Sequence, residues 1–132
     1  MGNYKFDLDL SEGKSGETLV ARILDGEGVI EVKRDWKVSI TGNIAIEYRC
    51  RGRRSGISTS TAAWWAIVLD GEKYGHEVVI FIRRTRLLEI THDYYSRGSF
   101  VRGGDDNASE MVLIPVAELV KWKPLSVKPE LI

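Results

Sequence analysis

Val29-Ile30-Glu31-Val32-Lys33-Arg34-Asp35-Trp36, followed after a short interval by Asn43-Ile44-Ala45-Ile46-Glu47-Tyr48-Arg49-Cys50, reads as two strands joined by a turn at Thr41-Gly42-Asn43. Side chains of a strand alternate faces with a rise of about 3.3 Å per residue, so Glu31 and Lys33 project from one side roughly 7 Å apart. Along the second run Ile44, Ile46 and Tyr48 share one face, and Asn43, Ala45, Glu47 and Arg49 share the other. A hairpin built this way brings Glu47 beside Glu31. Two adjacent carboxylates repel unless a cation or a proton relieves them, so the pair, with Lys33 among them, is suited to a metal cradle. Alone, Glu-x-Lys is common in strands and makes an exposed ion pair worth about 0.2–1 kcal/mol. Its neighbours give it weight.

Upstream, Ser11 is a plausible N-cap for a helix reaching about Leu24 and ended by Asp25-Gly26. Glu17 precedes Val20, Ala21 and Leu24 at helical spacing, which sets a third acid on the face expected to pack inward. Downstream, Ser55-Gly56-Ile57-Ser58 leads into an expected short helix over residues 59–65, with Ser58 or Thr59 as cap and Trp64 and Trp65 mainly in the core. Strands are expected over 67–69 and 78–82, separated by the turn Asp70-Gly71-Glu72. Thr85 caps a helix to about Tyr95, a Gly- and Asp-containing loop fills 96–109, and a strand over 112–114 precedes Pro115 at the start of a helix to about Val120. The tail over 123–132, with Pro124 and Pro129, reads as extended.

The 132 residues, 43% hydrophobic and 29% charged, fit one domain over 1–132 that buries roughly two thirds of its unfolded surface. No apolar run approaches the roughly 18 residues of a membrane span, and Met1-Gly2-Asn3-Tyr4-Lys5 lacks a signal-peptide core, so the expected setting is cytoplasmic with no membrane partner. Cys50 is the single cysteine, and with only His76 and His92 no zinc site is spelled out. No Gly-x-Ser-x-Gly elbow or Walker-type loop is present, and Gly103-Gly104-Asp105-Asp106 reads as a turn because it lacks EF-hand spacing. Nineteen basic and nineteen acidic residues cancel, which argues against a protein held on nucleic acid by bulk charge. Basic residues are nevertheless grouped: Arg49, Arg51, Arg53 and Arg54, then Arg83, Arg84 and Arg86. Such groups can engage phosphates.

The order helix, strands, helix, strands, with Gly16-Glu17, Ile30-Glu31-Val32-Lys33-Arg34-Asp35, Thr41-Gly42-Asn43-Ile44-Ala45-Ile46-Glu47 and Ser55-Gly56-Ile57-Ser58-Thr59, resembles small phage-type nucleases of the PD-(D/E)XK superfamily. That superfamily includes restriction endonucleases, archaeal Holliday junction resolvases and recombination exonucleases, and the resemblance covers roughly residues 4–70. It implies an α/β (α+β) fold with a central mixed β-sheet flanked by helices around a restriction-endonuclease-like αβββαβ core. It also implies a nuclease dependent on Mg²⁺ or Mn²⁺, in which acids bind metal and a lysine assists the attacking water.

Carried over residue by residue, Glu31 and Lys33 match the glutamate and lysine of the motif, and Glu17 matches the first-helix glutamate of the resolvase-like branch. The family's usual aspartate, on a strand well before this pair, has no counterpart: Asp25 stands next to Gly26 and reads as a turn residue. The reading adopted puts Glu31 in the aspartate's place, Glu47 in that of the second carboxylate, Lys33 on the first strand and Arg49 where the lysine ordinarily stands. Asp35, on the same face as Lys33, is a reserve ligand.

Glu17, Glu31 and Glu47 are thus the expected metal ligands, with Lys33 completing the catalytic set. Arg49, Arg51, Arg53 and Arg54, with the hydroxyls of Ser55, Ser58 and Thr59, are expected to hold a DNA backbone. A homodimer follows from the resemblance where two strands must be cut. The competing readings are a catalytically inactive nucleic-acid-binding module on the same scaffold and a structural, partner-binding protein in which Glu31 and Lys33 form a surface ion pair.

Overall fold

The computed structural model describes residues 13–26, 28–35, 37–69 and 78–123 of the chain. The element order is α1 (Gly13–Leu24), β1 (Ile30–Asp35), α2 (Val38–Thr41), β2 (Asn43–Cys50), β3 (Arg53–Arg54), a 3-10 turn (Gly56–Ser58), β4 (Trp64–Leu69), β5 (Val78–Arg83), α3 (Arg84–Ser96), β6 (Phe100–Gly103), a second 3-10 turn (Asp105–Asn107), β7 (Ser109–Pro115) and α4 (Glu118–Lys121). The strands form two sheets. One has the order β1-β4-β5, with β1 parallel to β4 and β5 antiparallel to it. The other is antiparallel with the order β3-β2-β7-β6. The chain is therefore α+β, with a mixed sheet and an antiparallel sheet flanked by helices. The expected Ser11 cap, the Asp70-Gly71-Glu72 turn, His76 and the tail with Pro124 and Pro129 lie outside the described residues. Among the described residues no helix is long and apolar enough to cross a membrane.

The two strands expected on either side of Gly42 are present, but they do not form a hairpin. Asp35 ends β1 by accepting a hydrogen bond from the Lys37 amide at 3.0 Å through Oδ1, which turns the chain into the single helical turn α2. Gly42, at φ 73, closes that turn with its N–H on the Val38 carbonyl. β2 then leaves in another direction and pairs with β7, while β1 takes β4 as a parallel neighbour. Glu31 consequently stands opposite Trp65, not Glu47.

Three further expectations change. Residues 59–65 are not helical, because Ser60 Oγ accepts from the Ala62 amide and the Trp65 indole, and both tryptophans enter β4. Alternation along that strand sends Trp65 into the core and Trp64 to the other face, under the Arg83 guanidinium at 4.5 Å. The loop expected over 96–109 contains β6, whose backbone pairs with β7. Pro115 ends β7 instead of starting a helix, and α4 begins at Glu118.

The core lies between the inner faces of the sheets and α3. Ile67 of β4, Ile44 and Ile46 of β2, Val112 and Ile114 of β7, and Leu87 and Ile90 of α3 are fully buried in one cluster. On α3, Asp93 Oδ2 accepts from the Trp122 indole at 2.9 Å and from Arg97 Nη2 at 2.8 Å, fixing the segment after α4 against the helix. His92 is buried there too, and burial pushes its imidazole below its usual range, with Glu89 opposing. Helix α1 ends as expected at Asp25-Gly26, but it buries Ile23, leaving Val20 and Leu24 exposed and Glu17 half-buried.

Candidate functional site

Along β1 exposure alternates as the sequence requires: Glu31 and Lys33 are half-buried, Val32 and Arg34 are exposed, and Asp35 is buried. Glu31 and Lys33 therefore share a face, with Trp65 and Ile67 of β4 as their lateral neighbours. Glu31 Oε1 accepts a hydrogen bond from Ser60 Oγ at 2.9 Å, and Ser60 Oγ in turn accepts from Trp65 Nε1 at 3.1 Å and from the Ala62 amide at 3.3 Å. Indole and amide can only donate. The single hydroxyl proton of Ser60 is thus committed to Glu31, and among the described residues Oε2 carries no hydrogen bond. Ser60 was not singled out from the sequence, where it is one hydroxyl among several; the buried tryptophan five residues on is the signal that it needs an inward acceptor.

Glu47 lies in the other sheet, where Ser109 Oγ donates to its Oε1. The two residues border one loop. Gly56 packs so closely on β2 that a Cβ there would sit 2.1 Å from the Glu47 carbonyl oxygen, and the Ser60 amide donates to the Gly56 carbonyl at 3.0 Å. Residues 55–60 therefore bridge from Glu47 to Glu31. Among the described residues, however, no three His, Cys, Asp or Glu side chains stand close enough to share a metal ion. The expected cage of Glu17, Glu31 and Glu47 is not assembled, because α2 separates β1 from β2 and Glu17 sits apart on α1. Asp35, the reserve ligand, has both oxygens occupied, by the amides of Lys37 and Ala45, each at 3.0 Å. What remains suits a Mg²⁺ or Mn²⁺ that arrives with its phosphate, since such an ion keeps several waters and takes only one or two carboxylates. Glu31 supplies one.

The first arginine group forms a hairpin. Arg51 and Gly52, at φ 51 and 77, make a two-residue turn of the kind that matches strand twist, and Arg49 stands directly opposite Arg54. Like charges in opposed positions weaken a strand pair, and all four guanidinium-bearing residues are exposed. Arg51 lies 3.9 Å from Asp106, both well exposed, an ion pair of little energetic weight. Arg54 donates to the Ser58 carbonyl at 2.8 Å. Of the hydroxyls expected to hold a backbone, Thr59 is exposed, whereas Ser55 Oγ and Ser58 Oγ are buried without a hydrogen-bond partner among the described residues, because Ile57 draws the loop into the core. The second arginine group is committed internally: Arg83 on Trp64, Arg84 Nε on the Ala62 carbonyl at 2.8 Å, and Arg86 on the Trp122 ring at 5.1 Å.

Ser60→Ala is expected to leave the indole of the buried Trp65 without an acceptor and Glu31 without its donor, costing about 1–3 kcal/mol. Urea unfolding of the two proteins measures this, and an unchanged midpoint with an unchanged slope would show that the bonds contribute nothing. No protein-family model, curated protein or solved structure matches this chain.

Proposed function

We propose that the chain is a divalent-metal-dependent nuclease that hydrolyses DNA phosphodiester bonds, on the structure-specific, resolvase-like side of the PD-(D/E)XK superfamily that its Glu31, Lys33 and Glu47 segments resemble. The observation that supports it most is a half-buried carboxylate and ammonium on one face of an exposed-edge strand, with Glu31 oriented through Ser60 and Trp65. When bound, Mg²⁺ or Mn²⁺ would supply Lewis acidity to the phosphate and activate water for attack. Glu31 would hold the cation, with its Oε1 kept in place by the Ser60 hydroxyl. Lys33, about 7 Å along the same face, offsets charge on the phosphate or orients the nucleophile. The Arg49 to Arg54 hairpin binds the backbone without reading sequence. Two chains acting as a pair would cut two strands.

One observation favours a second reading, a catalytically inactive DNA-binding module: the three acids do not converge among the described residues. Incubating the purified chain and its Glu31→Ala and Lys33→Ala variants with linear, nicked, single-stranded and four-way-junction DNA, in Mg²⁺, Mn²⁺ or EDTA, separates them. The expected result is metal-dependent cutting that both substitutions lower by a hundredfold or more, on the order of the loss seen when one charge-stabilising group is removed. DNA binding that EDTA does not affect, with no substrate cut, would transfer the assignment to the binding module.

A further inference from the structure

An aromatic step beside the arginine hairpin is not used by the proposed chemistry. Tyr95, at the end of α3, and Phe100, at the start of β6, stack with centroids 5.2 Å apart and planes 30° apart, yet they are 38% and 49% exposed. Tyr48 anchors them from below, meeting Tyr95 edge-on at 5.2 Å. An exposed, already ordered stack of two rings presents a flat apolar face at little further entropic cost.

Basic groups flank this step. Sheet register sets Arg54, Arg49, Glu110 and Arg102 side by side across β3, β2, β7 and β6. Phe100 is two residues from Arg102 on β6, so both project from the same face roughly 7 Å apart. Burial and the Glu110 carboxylate hold the Tyr48 phenol above its usual range, with Tyr95 adding to them and Arg49 and Arg102 opposing, so these groups share one electrostatic neighbourhood. Glu110 lies 4.0 Å from Arg102, which leaves Arg49 and Arg54 in excess along the row.

We infer that Tyr95 and Phe100, with Arg49, Arg54 and Arg102, form a platform for unpaired nucleotides. Bases stack on the ring face and phosphates lie along the arginine row. The faces of a base in a duplex are covered by its neighbours, so a fully paired helix can use only the arginines. Trp64 and Trp65, the other aromatics near the arginine-rich segment, are buried and cannot serve. The inference rests on the nucleic-acid side of the proposed function and names its substrate class: strands with unpaired bases, as at ends, flaps and branch points.

The test is binding in EDTA, which keeps it independent of cleavage. Fluorescence anisotropy compares a short oligothymidylate, an abasic deoxyribose-phosphate strand of the same length and a matched duplex. For the wild-type chain, oligothymidylate is expected to bind more tightly than the abasic strand. Phe100→Leu, which keeps an apolar side chain, is expected to weaken oligothymidylate binding on the order of tenfold and to leave the other two unchanged. Tyr95→Leu should act in the same direction, and Arg102→Gln should weaken all three. Thermal melts of each variant check the fold. Equal affinity of the wild type for the thymidylate and abasic strands, an equal loss on all three probes with Phe100→Leu, or no binding of any probe overturns the platform. Absence of cutting with the thymidylate preference intact overturns only the nuclease.

Discussion

Gly56→Ala is expected to lower the melting temperature on the order of 10 °C, the equivalent of about 3 kcal/mol for a domain of this size. Two effects combine. At φ 54 an L-residue pays about 1–2 kcal/mol for the left-handed conformation. The larger one is steric, because the new methyl would sit 2.1 Å from the Glu47 carbonyl oxygen and 2.8 Å from its carbonyl carbon, both backbone atoms that cannot swing aside. Relief requires the 55–60 loop to lift from β2, which also draws Ile57 from the core and moves Ser60 relative to Glu31. Gly52→Ala is the control. It carries φ 77 with nothing within 4 Å of the added methyl, so only the conformational cost of about 1–2 kcal/mol applies. Differential scanning calorimetry of the pair separates the contributions. Equal shifts would mean that the loop does not rest on Glu47 as described.

The same loop shows where the sequence stops being informative. Elements whose signal is local could be read: β1 and β2 by alternation, the end of α1 at Leu24 and the extent of α3, although α3 starts at Arg84 with Arg83 before it, so the expected cap Thr85 lies inside the helix. Pairing partners could not, because β2 bonds to β7, about sixty residues or more away, and nothing local distinguishes that partner from β1. Ser58 and Thr59 read as helix caps because serine and threonine favour N-caps, yet Thr59 Oγ1 donates back to the Gly56 carbonyl, Ser60 Oγ is engaged by Glu31 and Trp65, and Ser58 Oγ has no partner among the described residues. Of the expected site, the shared face of Glu31 and Lys33 was legible, since it depends only on a period of two. The placement of Glu47 was not, since it depended on a hairpin that Asp35 prevents.

Asp35→Ala is expected to cost about 3 kcal/mol, because it removes two part-buried hydrogen bonds from the amides of Lys37 and Ala45 to a charged group, each worth about 1.5–3 kcal/mol. The residue is only 6% exposed, so water is poorly placed to replace the carboxylate. The second of these bonds spans from the end of β1 to β2, two strands in different sheets with no ladder between them. Losing it should loosen the junction of the sheets as well as the turn into α2. Asp35→Asn is the sharper probe: one amide keeps an oxygen acceptor while the other meets the side-chain NH₂, a donor facing a donor, so the loss should be at least half that of alanine. Both losses are expected in EDTA and in Mn²⁺ alike, read as the urea midpoint. A reserve metal ligand behaves in the opposite way, with stability unchanged in EDTA and a weakened response to Mn²⁺ in the asparagine variant. The two patterns cannot be confused, because an oxygen that already accepts a backbone amide must give up that bond before it can hold an ion.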